Sequence, residues 1–112
     1  MRIGIPREIK DGEYRVALAP DAVAQLTDVV VELGAGAGVG FSDAQYIEAG
    51  ASLGDAWGCD LVVKVKEVLP PEYARARRGQ TICGFHQLTA EPEQLEAALA
   101  SAALSCSGSA VN

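Results

Sequence analysis

Short apolar runs rich in β-branched residues recur along the chain and alternate with segments of helical pattern. Runs of this kind are typical of strands that are buried on both faces. The predicted strands cover residues 2–5, 28–33, 60–66, 80–85 and 103–107. Because strands and helices alternate, the pattern predicts βαβ units and a mostly parallel sheet.

Three helices are predicted between these strands. The first covers residues 20–26 and begins with a proline, which suits a first helical turn. The second covers 42–50, with Ser42 as the predicted N-cap and a glycine at its end. The third covers 91–102 and opens with glutamates, where the helix dipole favours negative charge. We therefore predict one small α/β domain over residues 1–112, with helices flanking the sheet.

The composition is that of a globular domain. Hydrophobic residues make up 49% of the chain and charged residues 21%, and no apolar run reaches the roughly 18 residues needed to cross a membrane. The first residues resemble no signal peptide, so we expect a cytoplasmic protein. A formal net charge of -6 disfavours a nucleic-acid partner. The three cysteines are widely spaced and predict buried free thiols rather than disulfides or a zinc site.

Four glycines at alternate positions follow the second predicted strand and raise the question of a dinucleotide site. The fingerprint of such a site is Gly-x-Gly-x-x-Gly at the start of a helix. Counted from Gly34, the third glycine falls on Val39; counted from Gly36, it falls on Phe41. The helix signal also begins late, at Ser42. We therefore interpret this loop as a connector and expect the chain alone to bind neither a nucleotide cofactor nor a metal.

Polar residues collect where the predicted strands end, which is the edge at which parallel sheets bind ligands. The first strand is followed by Arg7, Lys10 and Arg15, the third by Lys66 and Glu67, and the fourth by His86 and Gln87. A guanidinium, an ammonium and an imidazole at one edge would suit a small α-keto or α-amino acid, with cations on its carboxylate and carbonyl and a histidine for its proton. The alternatives are a solvated arginine, a snorkelling lysine and a half-buried histidine.

Two lysines lie near the end of the third predicted strand. Lys64 and Lys66 share one face of that strand by its period of two, while Val63 and Val65 take the other face. Lys66 is the lysine nearest the carboxyl end of the strand, and a lysine near the end of an otherwise apolar strand is an unusual placement.

Three segments together resemble a known domain, namely "MRIGIPREIKDGEYRVALAPDAV", "GAGAGVGFSDAQYIEAGA" and "DLVVKVKE". They are similar to the amino-terminal domain shared by alanine dehydrogenase and the α subunit of proton-translocating NAD(P) transhydrogenase, with lysine-forming saccharopine dehydrogenase as a more distant relative. The resemblance covers essentially the whole chain. It implies a flavodoxin-like substrate domain in which the glycine-rich loop is a connector.

The resemblance also implies roles for individual residues. In alanine dehydrogenases of this family, the arginine of E-x-R-V-A and the second lysine of K-V-K-E hold the substrate, and here these are Arg15 and Lys66. The family's acid-base histidine falls on Gln87 when counted without a gap, and His86 comes one residue earlier. A slip of one residue turns a side chain to the opposite face of a strand. Either His86 is the catalytic residue, or Gln87 takes its place as a hydrogen-bonding group of the substrate site.

Members of this family continue into a Rossmann domain that binds the nicotinamide cofactor, and we expect that domain to be absent from residues 1–112. The first hypothesis is the substrate-binding domain of an alanine-dehydrogenase-like oxidoreductase acting on a small amino or keto acid, unable to transfer hydride alone, with NAD as cofactor by family resemblance only. The alternatives are a free-standing binding or structural module and a small non-redox enzyme that uses Lys66 and His86. An apolar sheet with few helices to cover it also predicts a two-fold homodimer.

Overall fold

The computed structural model describes residues 2–66, 68–76 and 80–84. Its strands are β1 (Ile3–Ile5), β2 (Val29–Val31), β3 (Ser52–Leu53), β4 (Leu61–Lys64) and β5 (Thr81–Gly84). They form one sheet in the order β3-β2-β1-β4-β5, and all the pairings are parallel. The predicted parallel sheet is therefore confirmed, although each strand is shorter than its apolar run. The strand predicted at 103–107 and the helix predicted at 91–102 lie outside the described residues.

In the described part of the chain, three short α-helices connect the strands, namely α1 (Pro20–Val23), α2 (Asp43–Glu48) and α3 (Pro70–Tyr73), and two single 3-10 turns lie at Ala37–Val39 and Ala56–Gly58. Helix α2 begins with the predicted cap: the Gln45 amide donates to the Ser42 hydroxyl at 3.3 Å, and the Ser42 amide donates to the Gln45 side chain at 2.7 Å. This reciprocal capping box satisfies amides that have no partner within the helix. Strand β3 and helix α3 were not predicted, because two and four residues are too few to show a period.

Strand β4, which pairs with β1 and β5, is buried on both faces. Leu61 and Val63 belong to the main core, whereas Val62 packs on the other side with Trp57 and Ile82. The prediction that Lys64 and Val65 take opposite faces of this strand is confirmed. Val65 joins the main core, whereas Lys64 Nζ lies 6.0 Å from the centroid of the Trp57 ring on the other side. A lysine on a strand with no solvent-exposed face needs partners within the protein.

The prediction of free thiols holds at one described cysteine and is wrong at the other. Cys59 is buried and free, and burial raises the pKa of its thiol. Cys83 is buried as well but is disulfide-bonded. Wide spacing along the chain does not prevent such a bond, because distance in the fold and not in the sequence decides whether two cysteines can pair.

The strand order places two loops side by side at the centre of the sheet. With the short edge strand β3 set aside, the order of the predicted strands is second, first, third, fourth, as in flavodoxin-like domains. The chain moves outward from β1 to β2 on one side and continues from β4 to β5 on the other. The carboxyl ends of β1 and β4 therefore flank the position at which ligands bind in such sheets. Within the described ranges, no helix is long and apolar enough to span a bilayer.

Candidate functional site

A cavity of about 380 Å³ opens beside the loops that follow β1 and β4. It is lined by Lys10, Asp11, Gly12, Glu13, Tyr14, Arg15 and Lys66. We call this space the Arg15 cavity. Arg15 comes from the loop after β1 and Lys66 from the segment after β4, so the structure brings the two candidate cations to the same space although 50 residues lie between them in the sequence.

Glu13 lies between these two cations. Its carboxylate accepts hydrogen bonds from Arg15 Nε and Nη2, each at 3.0 Å, and from the Arg15 backbone amide at 2.9 Å. Lys66 Nζ lies 3.9 Å from Glu13 Oε1. The Glu13 side chain is 5% exposed, against 64% for Arg15 and 37% for Lys66. The carboxylate is therefore fixed in the wall of the cavity, whereas both cations reach solvent.

The contacts of Glu13 determine its charge. Hydrogen bonds from the Arg15 side chain and backbone lower the pKa of Glu13 from 4.5 to about 2, although partial removal from water opposes that change. The same side-chain hydrogen bond raises the pKa of Arg15. Glu13 is consequently ionised at neutral pH and stays so in mild acid.

The glycine-rich segment 34–40, here the glycine loop, supports the segment that carries Glu13 and Arg15. A Cβ added to Gly38 would lie 2.7 Å from the Tyr14 carbonyl oxygen, so only glycine allows this close approach. A smaller cavity of about 170 Å³ lies between the two segments. Its lining residues are Arg7, Glu8, Glu13, Tyr14, Arg15, Gly34, Ala35, Ala37 and Gly38. The predicted role of this loop as a connector agrees with these contacts.

The glycine loop does not have the geometry of a pyrophosphate site. The Gly34 amide donates to the Asp43 carboxylate at 2.9 Å, so a carboxylate of the protein already takes this donor. Helix α2 begins only at Asp43, after the Ser42 cap, and so it does not follow the glycines directly. A dinucleotide site needs a helix that begins at the glycine turn with free amides directed at the phosphates. The described residues of this loop therefore do not fit the nicotinamide cofactor.

A buried ion cluster lies next to the Arg15 cavity. Lys64 Nζ donates to Glu8 Oε1 at 2.8 Å and to Glu72 Oε2 at 3.1 Å, and the three side chains are between 1% and 3% exposed. We call these residues the Lys64 cluster. Glu8 also accepts hydrogen bonds from the amides of Val65 at 2.9 Å and Lys66 at 3.3 Å. The cluster thus joins the loop after β1 to the segment that presents Lys66.

The other candidates differ in what the structure shows of them. Lys10 lines the Arg15 cavity, and Arg7 lines the smaller one. Glu67, His86 and Gln87 lie outside the described residues, so the roles suggested for His86 and Gln87 remain predictions. No group of metal-binding side chains is found in the described part of the chain.

Three glutamates of the site were not singled out from the sequence. Glu8 and Glu72 are indicated, in retrospect, by Lys64, because a lysine in a strand buried on both faces needs carboxylate partners. Glu13 is two residues from Arg15 in the E-x-R-V-A motif, which is the one sequence signal for their pairing. Nothing in the local pattern indicated that Glu13 would lie between Arg15 and Lys66.

A parallel α/β domain with this pair of cations at the centre of its ligand-binding edge agrees with the resemblance drawn from the sequence. The family model for the domain "Alanine dehydrogenase/PNT, N-terminal domain" matches residues 4–111, and the chain therefore belongs to that family.

Individual relatives come from both branches of the family. The chain is 45% identical to alanine dehydrogenase of Bacillus subtilis (strain 168), over 87% of this chain and 28% of the relative. It is 43% identical to alanine dehydrogenase of Mycolicibacterium smegmatis, over 90% of this chain and 30% of the relative. Its fold resembles a solved L-alanine dehydrogenase, with a TM-score of 0.72 and 44% identity over 75% of this chain and 26% of that one.

A second solved structure is the transhydrogenase from Sinorhizobium meliloti, with a TM-score of 0.70 and 33% identity over 75% of this chain and 27% of that one. The chain thus spans between 26% and 30% of the length of these relatives and neighbours.

Proposed function

We propose that this chain is the substrate-binding domain of an alanine-dehydrogenase-like oxidoreductase that acts on a small amino or keto acid. The observation that carries the proposal is the shared position of Arg15 and Lys66 in the lining of one cavity. A planar guanidinium suits a carboxylate, and a compact ammonium suits a carbonyl oxygen. Two such cations in one cavity match the adjacent carboxylate and carbonyl groups of an α-keto acid.

In this proposal each cation has one task. Arg15 holds the substrate carboxylate; Glu13 engages only Nε and Nη2 of a group that has five N–H donors. Lys66 donates a hydrogen bond to the carbonyl oxygen and stabilises the negative charge that develops there. By family resemblance, His86 moves the proton, or Gln87 orients the substrate by hydrogen bonding.

In this proposal, the described residues do not hold the cofactor that transfers the hydride. When bound, NAD, the cofactor implied by family resemblance, would accept or supply the hydride. The glycine loop offers it no pyrophosphate site, so we propose that a separate nucleotide-binding domain holds the cofactor and that residues 1–112 alone do not transfer hydride.

The proposal is tested by calorimetric titration of the chain with pyruvate and with L-alanine. We expect saturable binding of at least one of them, and we expect Arg15→Ala and Lys66→Ala each to weaken it by about tenfold, because a charge-assisted hydrogen bond is lost. Arg2→Ala is the matched control, since Arg2 is similarly exposed, at 57%, and pairs with Asp28 away from the cavity. Binding that Arg15→Ala and Arg2→Ala leave equally unaffected would contradict the proposal.

A further inference from the structure

The charges around the Arg15 cavity nearly balance. Three cationic side chains and two carboxylates are among its described lining residues, which leaves a formal charge of one positive unit. The two carboxylates differ in their surroundings. Asp11 is exposed, so water and salt screen its charge, whereas the Glu13 side chain is 5% exposed and is screened much less.

Glu13 is also held in place. Three hydrogen bonds from Arg15 engage its two oxygens, and one of them comes from the backbone, whose position does not depend on a side-chain rotamer. A carboxylate held in this way remains in the wall when a ligand approaches the free donors of Arg15. A ligand therefore meets the cations of the lining together with one fixed negative charge.

We infer that Glu13 is a specificity-determining residue, whose fixed carboxylate restricts the cavity to acids with a single carboxylate and disfavours the corresponding diacids. This inference rests on the proposed function, which assigns a small acid to Arg15 and Lys66. One ligand carboxylate matches the single positive unit of the lining. A second one would have to lie within the same cavity as Glu13, and such like-charge contacts are a common means of rejecting a wrong partner.

Size does not provide this discrimination. The cavity volume of about 380 Å³ lies within the range of pockets that hold drug-sized molecules, so a five-carbon diacid is not too large for it. The rejection has to come from charge. Removing the charge of Glu13 while keeping its shape should therefore change which acids are accepted.

The experiment compares two acids of equal chain length, 2-oxopentanoate and 2-oxoglutarate, which differ by the second carboxylate. Their dissociation constants are measured by calorimetry at low ionic strength for the wild-type chain and for Glu13→Gln. The glutamine keeps an oxygen that can accept from Arg15. We expect the wild type to prefer the monoacid, and Glu13→Gln to shift the ratio of the two constants toward the diacid by roughly tenfold.

Glu48→Gln is the matched control, because it removes one negative charge from the exposed face of α2, away from the lining residues. We expect it to leave the ratio at the wild-type value. If Glu13→Gln leaves the ratio of the two dissociation constants unchanged, the inference is overturned. Binding of the monoacid in that experiment still supports the proposed function. Equal weakening of both acids also overturns the inference, because Glu13 then only orients Arg15. If the wild type binds pyruvate or L-alanine but neither five-carbon acid, the inference is overturned and the proposed function stands. If it binds none of the four compounds, the proposed function is overturned as well.

Discussion

Glu13 and Arg15 differ sharply in exposure although only one residue separates them. The carboxylate is 5% exposed and the guanidinium 64%, so the arginine shields the glutamate on one side and reaches solvent on the other. The carboxylate can stay charged in this position because the three hydrogen bonds it accepts all stabilise its ionised form. Under the proposed function and the inference drawn from it, a residue pair within one motif supplies both the binding group and the charge that limits what it binds.

The acid titration of Glu13 gives a first prediction. Its pKa of about 2 in the folded chain lies below its ordinary value of 4.5, so the stability that ionised Glu13 contributes is fully present above pH 4.5 and is lost as the pH falls through about 2. Carboxyl ¹³C NMR should give a midpoint near the lower value. In Arg15→Ala the midpoint should return toward 4.5, because the largest cause of the shift is removed. A wild-type midpoint near 4.5 would contradict the observed pairing.

Lys64 gives a second prediction at this scale. Lys64→Met leaves the carboxylates of Glu8 and Glu72 buried without their cation, and we expect it to lower the free energy of unfolding by about 3–5 kcal/mol, the cost of breaking a buried ion pair. Urea denaturation measures this change. The control is Arg2→Met, which removes an exposed ion pair with Asp28 and is expected to cost less than about 1 kcal/mol. Equal stability of Lys64→Met and wild type would mean that the cluster is not needed for the fold.

At the scale of elements, the loops after β1 and β4 line the Arg15 cavity, and the glycine loop supports the first of them. Gly38 lies against the backbone of Tyr14, so the position of Arg15 depends on a segment more than 20 residues further along the chain. Gly38 is one of the glycines that prompt a search for a nucleotide site, and it serves instead to bring two loops into close contact. This contact is the structural reason for a glycine at position 38.

Substituting Gly38 tests this dependence. Gly38→Ala places a Cβ 2.7 Å from the Tyr14 carbonyl oxygen, so the Glu13–Arg15 segment has to shift. We expect a loss of about 1–3 kcal/mol in the free energy of unfolding, as for other overpacked sites, together with weaker carboxylate binding. In Gly54→Ala the new Cβ meets Val30 at 3.6 Å, an ordinary contact, and both properties should stay near wild type. Equal behaviour of the two variants would contradict the supporting role of the glycine loop.

Much of the element structure could be predicted because each prediction depended on local chemistry. The apolar runs gave β1, β2, β4 and β5, and Ser42 gave the start of α2. Strand ends were overestimated, since apolar residues such as Val65 continue into the core beyond the last ladder pair. Arg15 and Lys66 could be proposed because both follow strands and both carry charge. The positions of Glu8 and Glu13 depend on contacts between distant segments, which no local pattern encodes.

At the scale of the whole molecule, several large apolar side chains remain exposed. Leu33 is 63% exposed, Tyr73 54% and Ile47 53%. Leu33 and Ile47 lie on the connection between β2 and β3, and Tyr73 lies on the connection between β4 and β5. Exposed apolar surface of this kind favours association when it is contiguous.

A measurement of molecular mass tests the homodimer predicted from the sequence. Light scattering coupled to size exclusion at tens of micromolar should give twice the monomer mass of 11.6 kDa, because a two-fold contact is the commonest way for one apolar surface to cover itself. If Leu33 lies in the dimer contact, Leu33→Ser should shift the equilibrium between dimer and monomer toward monomer. Glu48→Gln serves as a control at an exposed position. A mass of 11.6 kDa at all concentrations would contradict the prediction.

The hydrogen bonds that Glu8 accepts from Lys64, Val65 and Lys66 bridge 56 to 58 positions of the chain. Contacts of such long range form late, because the intervening loop must close before they return any free energy. During folding, β1 and β2 can pair and place Arg15 while Lys66 still moves with an unformed β4. We therefore expect carboxylate binding to develop with the slowest refolding phase, after most of the helical signal has returned. Ligand affinity would then report the completion of the sheet.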